Sequence, residues 1–206
     1  MTIDEGYTKF VCDWTECALP DLAEIAELCR WRKPLFDAGL IGVYEDIGIG
    51  FGNISVRIGR SPDFLISGTQ TGHLHELAAE HFALVTQADF DRNRVSCSGP
   101  IQASSESMTH AALYRIDESI GAVVHVHSEQ LWRRLKGSIP TTSEDVAYGT
   151  PEMAREFARI YRVSDFSSSG IAVMGGHAEG IVSIGSSLAV AATRILELQN
   201  SNRPKG

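Results

Sequence analysis

The chain has 206 residues, 43% hydrophobic and 21% charged, which is enough to bury a core without cross-links and too apolar for a disordered chain. No run approaches the ~20 uninterrupted apolar residues of a membrane-spanning helix. Eighteen Lys and Arg against 26 Asp and Glu give a net charge of -8, so no clustered cations await a nucleic-acid backbone; Arg30, Arg32 and Lys33, and later Arg133, Arg134 and Lys136, read as solvated helix faces.

In chain order, residues 1–19 form an extension in which Phe10, Val11, Trp14 and Cys17 suggest a segment lying on the domain. It has no basic start followed by an apolar run, and Cys12, Cys17, Cys29 and Cys97 are too scattered for a disulfide framework. A cytoplasmic protein with reduced thiols is expected. A helix should start at Pro20, carry Leu22, Ile25, Leu28, Cys29, Leu35 and Phe36 on one face, kink or divide at Pro34, and stop at Gly39. Residues 48–53 read as a glycine-rich bend into a strand at 54–58. Short strands follow at 64–66, 82–85 and 94–98, with a turn at 91–93. A helix over 104–116 would be capped by Ser104 or Ser105. Residues 121–127 form a buried strand, and Thr150, Pro151 and Glu152 open another helix. Strands at 171–174 and 180–184 precede a last helix from Ser186 to about Gln199, and 200–206 is a polar, flexible tail. The whole reads as one domain, a sheet covered by helices on both faces.

The chemistry concentrates in histidines. On a strand, His125 and His127 project from one face with Val126 buried behind, and neutral imidazole suits zinc and similar divalent metals. His177, in a glycine-rich turn after an apolar strand, is a third candidate; three histidines with an open position make a catalytic rather than a structural site. His73 and His75 repeat the spacing in a loop and read as a surface turn. Ser104 and Ser105 before Glu106 offer hydroxyls and backbone N–H groups, and the bends Gly52-Asn53 and Ser67-Gly68 add more; together they could cradle an anion in a protein with no basic patch.

In this order, Gly52-Asn53-Ile54-Ser55, Ser67-Gly68, Ser104-Ser105-Glu106, His125-x-His127 and His177 resemble the class II aldolase/adducin family over about residues 20–198. The resemblance implies an α/β fold, a three-layer α/β/α sandwich around a central, mainly antiparallel mixed sheet. It also implies a homotetramer with active sites at subunit interfaces. Carried over residue by residue, His125, His127 and His177 would hold a divalent metal, zinc first, with manganese, cobalt, nickel or iron as alternatives. Glu106 would be a displaceable fourth ligand and the general acid/base. Gly52, Asn53, Ser67, Gly68, Ser104 and Ser105 would bind the phosphate, or another anion, of a small-molecule substrate; nucleic acid and membrane partners are not expected.

The activity so implied is a metal-dependent aldehyde-lyase that cleaves a small hydroxyketone or hydroxyacid, sugar phosphates included, through a metal-stabilised enediolate. The same site could serve an epimerase, dehydratase, decarboxylase or iron-dependent oxygenase, and an adducin-like interaction module is the non-enzymatic alternative. Three features depart from the sugar-phosphate aldolases. After Ile139-Pro140, Glu144 stands where those enzymes have a tyrosine, and Tyr148, four residues on, is the candidate to replace it as a catalytic group. Ala178-Glu179 separate the third histidine from Gly180. The extended start is a further difference.

Overall fold

The computed structural model describes residues 7–201. Its first part runs β1 (Val11–Glu16), α1 (Ala23–Asp37), β2 (Gly42–Tyr44), β3 (Ile49–Phe51), β4 (Asn53–Arg57), β5 (Phe64–Ser67), β6 (Phe82–Asp89) and β7 (Arg94–Gly99). The second part runs α2 (Ser107–Ile116), β8 (Ala122–His127), α3 (Glu129–Leu135), α4 (Pro151–Val163), α5 (Phe166–Ser169), β9 (Ile171–Val173), β10 (Gly180–Gly185) and α6 (Leu188–Ser201). The main sheet has the order β1-β7-β6-β5-β4-β8-β10-β9; β1 and β7 are parallel and every other neighbouring pair is antiparallel. β2 and β3 form a separate hairpin.

Strand β8 shows how side-chain alternation builds three layers. Ala122, Val124 and Val126 join one apolar cluster with Leu28 and Leu35 of α1 and Leu188, Ala191 and Ile195 of α6. Val123 joins the other, with Met108 and Leu113 of α2 and Met153 and Phe157 of α4. His125 and His127 share the face of Val123, so the sheet turns them toward α2 and away from α1. This is an α/β fold with a mixed central sheet flanked by helices, as expected. No helix among the described residues is long and apolar enough to cross a membrane.

Several element boundaries differ from expectation for local reasons. α1 begins at Ala23, because Leu22 is extended and has no side-chain cap. Pro34 does not divide the helix: it sits in the last turn, where little helix remains to lose, and Gly39 at φ 71° carries the chain out. Within the expected bend at 48–53, residues 49–51 are strand β3, paired with β2 in register from Gly42↔Phe51 to Tyr44↔Ile49. α2 begins at Ser107; the main chain of Ser104 to Glu106 instead forms a tight turn, with the Ser107 N–H donating to the Ser104 carbonyl at 3.0 Å. The last helix is capped by the Ser187 hydroxyl, which accepts from the Val190 N–H at 3.3 Å, and continues through Asn200 and Ser201. The rest of the expected tail, 202–206, and residues 1–6 of the extension lie outside the described residues.

Residues 11–16 of the extension are an edge strand. β1 runs parallel to β7 in register from Val11↔Arg94 to Glu16↔Gly99, with Arg94 paired to Asp13 and the Trp14 indole N–H donating to the Gly99 carbonyl at 2.9 Å. The strand brings the Cys12 and Cys97 sulfurs to 3.6 Å as free thiols. One basic group also departs from expectation. Arg32 is 2% exposed, between Leu28 and Leu35 on the buried face of α1.

Candidate metal centre

β8 ends at His127, and the turn between β9 and β10 supplies His177. That turn is closed by Met174 N–H to Gly180 O at 2.9 Å and Gly180 N–H to His177 O at 3.0 Å. The result is three buried imidazoles whose ligating nitrogens all lie within 4.8 Å of one another. His127 Nε2 is 3.1 Å from His125 Nε2 and 3.1 Å from His177 Nε2.

The neighbours of the other ring nitrogens assign the protons. His125 Nδ1 faces the Ile181 carbonyl at 3.2 Å and must donate to it. His127 Nδ1 lies 2.9 Å from the Tyr44 hydroxyl, which itself donates to Glu179 Oε2 at 2.8 Å, so Nδ1 donates here too. The two Nε2 atoms therefore meet with lone pairs, an arrangement that repels unless a cation lies between them. Tetrahedral zinc with nitrogen bonds of ~2.0–2.1 Å would separate its ligand atoms by about 3.3 Å. The donor set fits a divalent ion.

Burial agrees with that reading. It drives His125 down to about 4, against the opposing pull of the Ile181 carbonyl, and His127 and His177 well below their ordinary 6.5; for these two the neighbouring imidazoles and, for His177, the Lys9 ammonium add to the effect. All three rings are neutral at physiological pH and present lone pairs without proton competition.

Glu106 stands at the start of α2, 1% exposed. Its Oε2 accepts from the Thr109 hydroxyl at 2.8 Å, while Oε1 has no hydrogen-bond partner and lies 3.7 Å from His177 Nε2. Burial pushes its carboxyl up to about 7, against the opposing pull of the Thr109 hydroxyl and of Lys9. A carboxyl near neutrality with one idle oxygen at the edge of a metal site can exchange protons in either direction.

Beside the histidines lies a small polar depression lined by Gly50, Gly52, Asn53, Gly68, Thr69, Gln70, Thr71, Gly72, Ser104 and Ser105. Asn53 pairs with His125 across β4 and β8, which fixes the depression next to the histidine cluster. Its Oδ1 is buried and unpaired. Gly52, at φ 74°, turns the chain where a side chain would press on the His125 and Leu40 carbonyls. Of the residues expected here, Ser67 is turned elsewhere: its hydroxyl accepts from the Ile54 N–H at 3.2 Å and ties β5 to β4.

A family model for the class II aldolase and adducin N-terminal domain matches residues 44–203. The chain belongs to the class II aldolase and adducin family. Solved structures with the same fold include L-fuculose-1-phosphate aldolase from Thermus thermophilus, at 22% identity over 86% of this chain and 89% of that one, with a TM-score of 0.61. YgbL from Escherichia coli, for which aldolase, epimerase and decarboxylase reactions are all candidates, is 20% identical over 86% of each chain, with a TM-score of 0.64. A sugar-phosphate aldolase from Thermotoga maritima is 16% identical over 86% and 90%, with a TM-score of 0.62.

In this class II aldolase fold, Tyr148 is 1% exposed and packs tilted against His177, with ring centroids 4.5 Å apart and the planes at 37°. Its hydroxyl accepts from the Tyr7 N–H at 3.1 Å and faces the Tyr7 carbonyl at 3.3 Å, so it is engaged with the N-terminal segment. Glu144 points to solvent and pairs with Lys136 at 3.0 Å. His73 is exposed, and His75 pairs with Asp37 on the surface at 3.1 Å. Sequence reasoning missed Tyr44, the residue that joins His127 to Glu179. Its only signal was the unexplained Glu179, which the structure holds at φ 67°, a conformation rare for a residue with a side chain. Gln70, in the depression, shares that conformation at φ 59°.

Proposed function

We propose that this protein is a metal-dependent lyase acting on a small hydroxyketone or hydroxyacid. One observation carries the reading: three neutral imidazoles converge beside a buried carboxyl whose second oxygen is idle. A divalent cation, zinc first, held by His125, His127 and His177 would supply Lewis-acid stabilisation to the oxygens of a developing enediolate. Glu106 is the proton carrier; its carboxyl, near 7, accepts a proton at one reacting carbon or returns one to the leaving fragment. Gly52, Asn53, Gly68, Ser104 and Ser105 bind the substrate's phosphate or equivalent anion through N–H and hydroxyl groups. Ser67 supports that depression from behind. Tyr148 positions His177 by packing and is assigned no proton transfer.

The intact donor set supports an enzyme over an adducin-like interaction module. Epimerase, dehydratase and decarboxylase chemistry would use the same groups, and product analysis separates them. The cytoplasmic location and the homotetramer with sites between subunits, both expected from sequence, stand as part of this proposal; light scattering tests the second.

The first experiment is elemental analysis of wild type beside His125→Ala, followed by hydrogen exchange. About one divalent ion per chain, lost in the variant, is the expected result. The loaded protein should then exchange a carbon-bound hydrogen of dihydroxyacetone or its phosphate in D₂O. Glu106→Gln should keep the metal and lose exchange by roughly 10²–10⁴-fold. Failure of the wild type to take up any divalent ion would overturn the lyase reading and favour the interaction module.

A further inference from the structure

Glu106 stands at one end of a polar stripe. Glu106, His110 and Tyr114 recur every four residues and share one face at the start and along the length of α2. Ile54 and Val56 of β4 belong to the apolar cluster under α1, which turns Asn53, Ser55 and Arg57 the other way, toward α2. All six polar side chains are buried. The two rows meet at Ser55, whose hydroxyl lies 2.7 Å from His110 Nδ1 and 2.7 Å from the Tyr114 hydroxyl. A hydroxyl gives one hydrogen and accepts two, so Ser55 serves both partners whichever way the protons run. His110 has no other side-chain hydrogen bond, since its Nε2 is buried and unpaired. Arg57 grips the far end of the helix, donating to the carbonyls of Tyr114 at 2.6 Å, Ile120 at 2.8 Å and Asp117 at 3.0 Å.

The Glu106 carboxylate has no such tie to the sheet. Oε2 is held by Thr109 of its own helix and Oε1 by nothing. Its place is inherited from α2 through the His110 N–H, which donates to the Glu106 carbonyl at 3.1 Å. Apolar packing of Met108 and Leu113 against the sheet is non-directional and tolerates a small slide of the helix; hydrogen bonds of 2.7 Å do not. We propose that Ser55 is a positioning residue: acting through His110 and Tyr114, it fixes where α2 sits on β4 and thereby where Glu106 stands against the histidine cluster. The proposal rests on the lyase reading and adds to it the part that aims the proton carrier. Ser55 makes no hydrogen bond to His125, His127 or His177, so its loss should spare the metal and move the acid. A misplacement of ~1 Å is enough to cost on the order of 10²-fold in rate.

The test follows hydrogen exchange of dihydroxyacetone phosphate in D₂O on zinc-loaded protein, over a range of its concentration, beside zinc affinity and urea unfolding. Ser55→Ala orphans His110 and Tyr114. It should lower the saturated exchange rate roughly 10–100-fold, with the half-saturating concentration and the zinc affinity within about threefold of wild type. His110→Asn, whose amide can take the place of Nδ1, should retain most of the rate. The triple variant Ser55→Ala, His110→Leu, Tyr114→Phe removes the polar groups together and leaves none orphaned. Its stability should recover toward wild type while its exchange stays low, which separates aiming from folding even where Ser55→Ala fails to fold. Exchange that returns with stability in the triple variant overturns the positioning role, as does a wild-type rate in Ser55→Ala or a loss of zinc and exchange in step. A wild type that holds zinc yet exchanges no hydrogen overturns the lyase reading instead, and this proposal with it.

Discussion

The hydrogen bonds behind His127 decide how well it can serve as a ligand. Tyr44 accepts from Nδ1 and donates to Glu179, so the carboxylate's charge reaches the imidazole through a single hydroxyl. Phe51 lies against both rings, at 4.6 Å from Tyr44 and 5.4 Å from His127, and keeps the relay dry on one side. Tyr44→Phe removes the relay and little volume. It should weaken metal binding about 10–100-fold, measured by competition with a chromophoric chelator, and leave the fold intact by circular dichroism. Unchanged affinity would mean that packing alone orients His127. The two strand histidines were legible because a period of two puts i and i+2 on one face. Tyr44 was not, because it stands 83 residues from His127 on a three-residue strand that has no pattern of its own.

Elements position the site through a few buried polar clamps. Arg32 projects from the apolar face of α1 and donates to the carbonyls of Thr71, Gly72, Leu74 and His75. It thereby holds the loop whose Thr71 and Gly72 line the depression. Gly72 must approach closely: a side chain there would meet the Gly42 carbonyl at 2.1 Å. Burial lowers the Arg32 guanidinium to about 10, still charged at neutral pH. Arg32→Met keeps the packing and orphans the carbonyls. It should cost about 2–4 kcal/mol in urea unfolding and weaken binding of inorganic phosphate, while zinc affinity stays within about twofold. Equal loss of zinc and phosphate binding would show instead that α1 supports the whole site. The clamp was half legible. Leu28 and Leu35 mark a face on which position 32 falls, and a cation there contradicts a solvated reading. β1 was less so: its alternation is broken by Asp13 and Glu16, and its pairing partner lies more than 80 residues away.

At the scale of the whole molecule, the layers follow from alternation along β8 and from the apolar faces of α1, α2, α4 and α6, all of which the sequence carries. What it does not carry is burial, and burial sets the response to pH. In metal-free protein His125 titrates at about 4, and His110, His127 and His177 well below 6.5. The unfolded chain takes up those protons near 6.5. Between there and about pH 4 it binds more protons than the folded chain, so stability is lost as pH falls. Glu106 acts in the opposite sense. Its carboxyl is raised to about 7 from 4.5, so acidification through that window favours the folded state. Four histidines against one carboxyl leave a net loss, and the urea midpoint of metal-free protein should fall steadily from pH 6.5 toward 4.5. Saturating zinc should raise the midpoint at every pH by a nearly constant amount across that window, because the folded imidazoles stay neutral and protons do not yet compete with the ion. A zinc increment already gone at pH 6 would mean that the three rings titrate near their ordinary value, in a site more open to water than the buried cluster beneath α2.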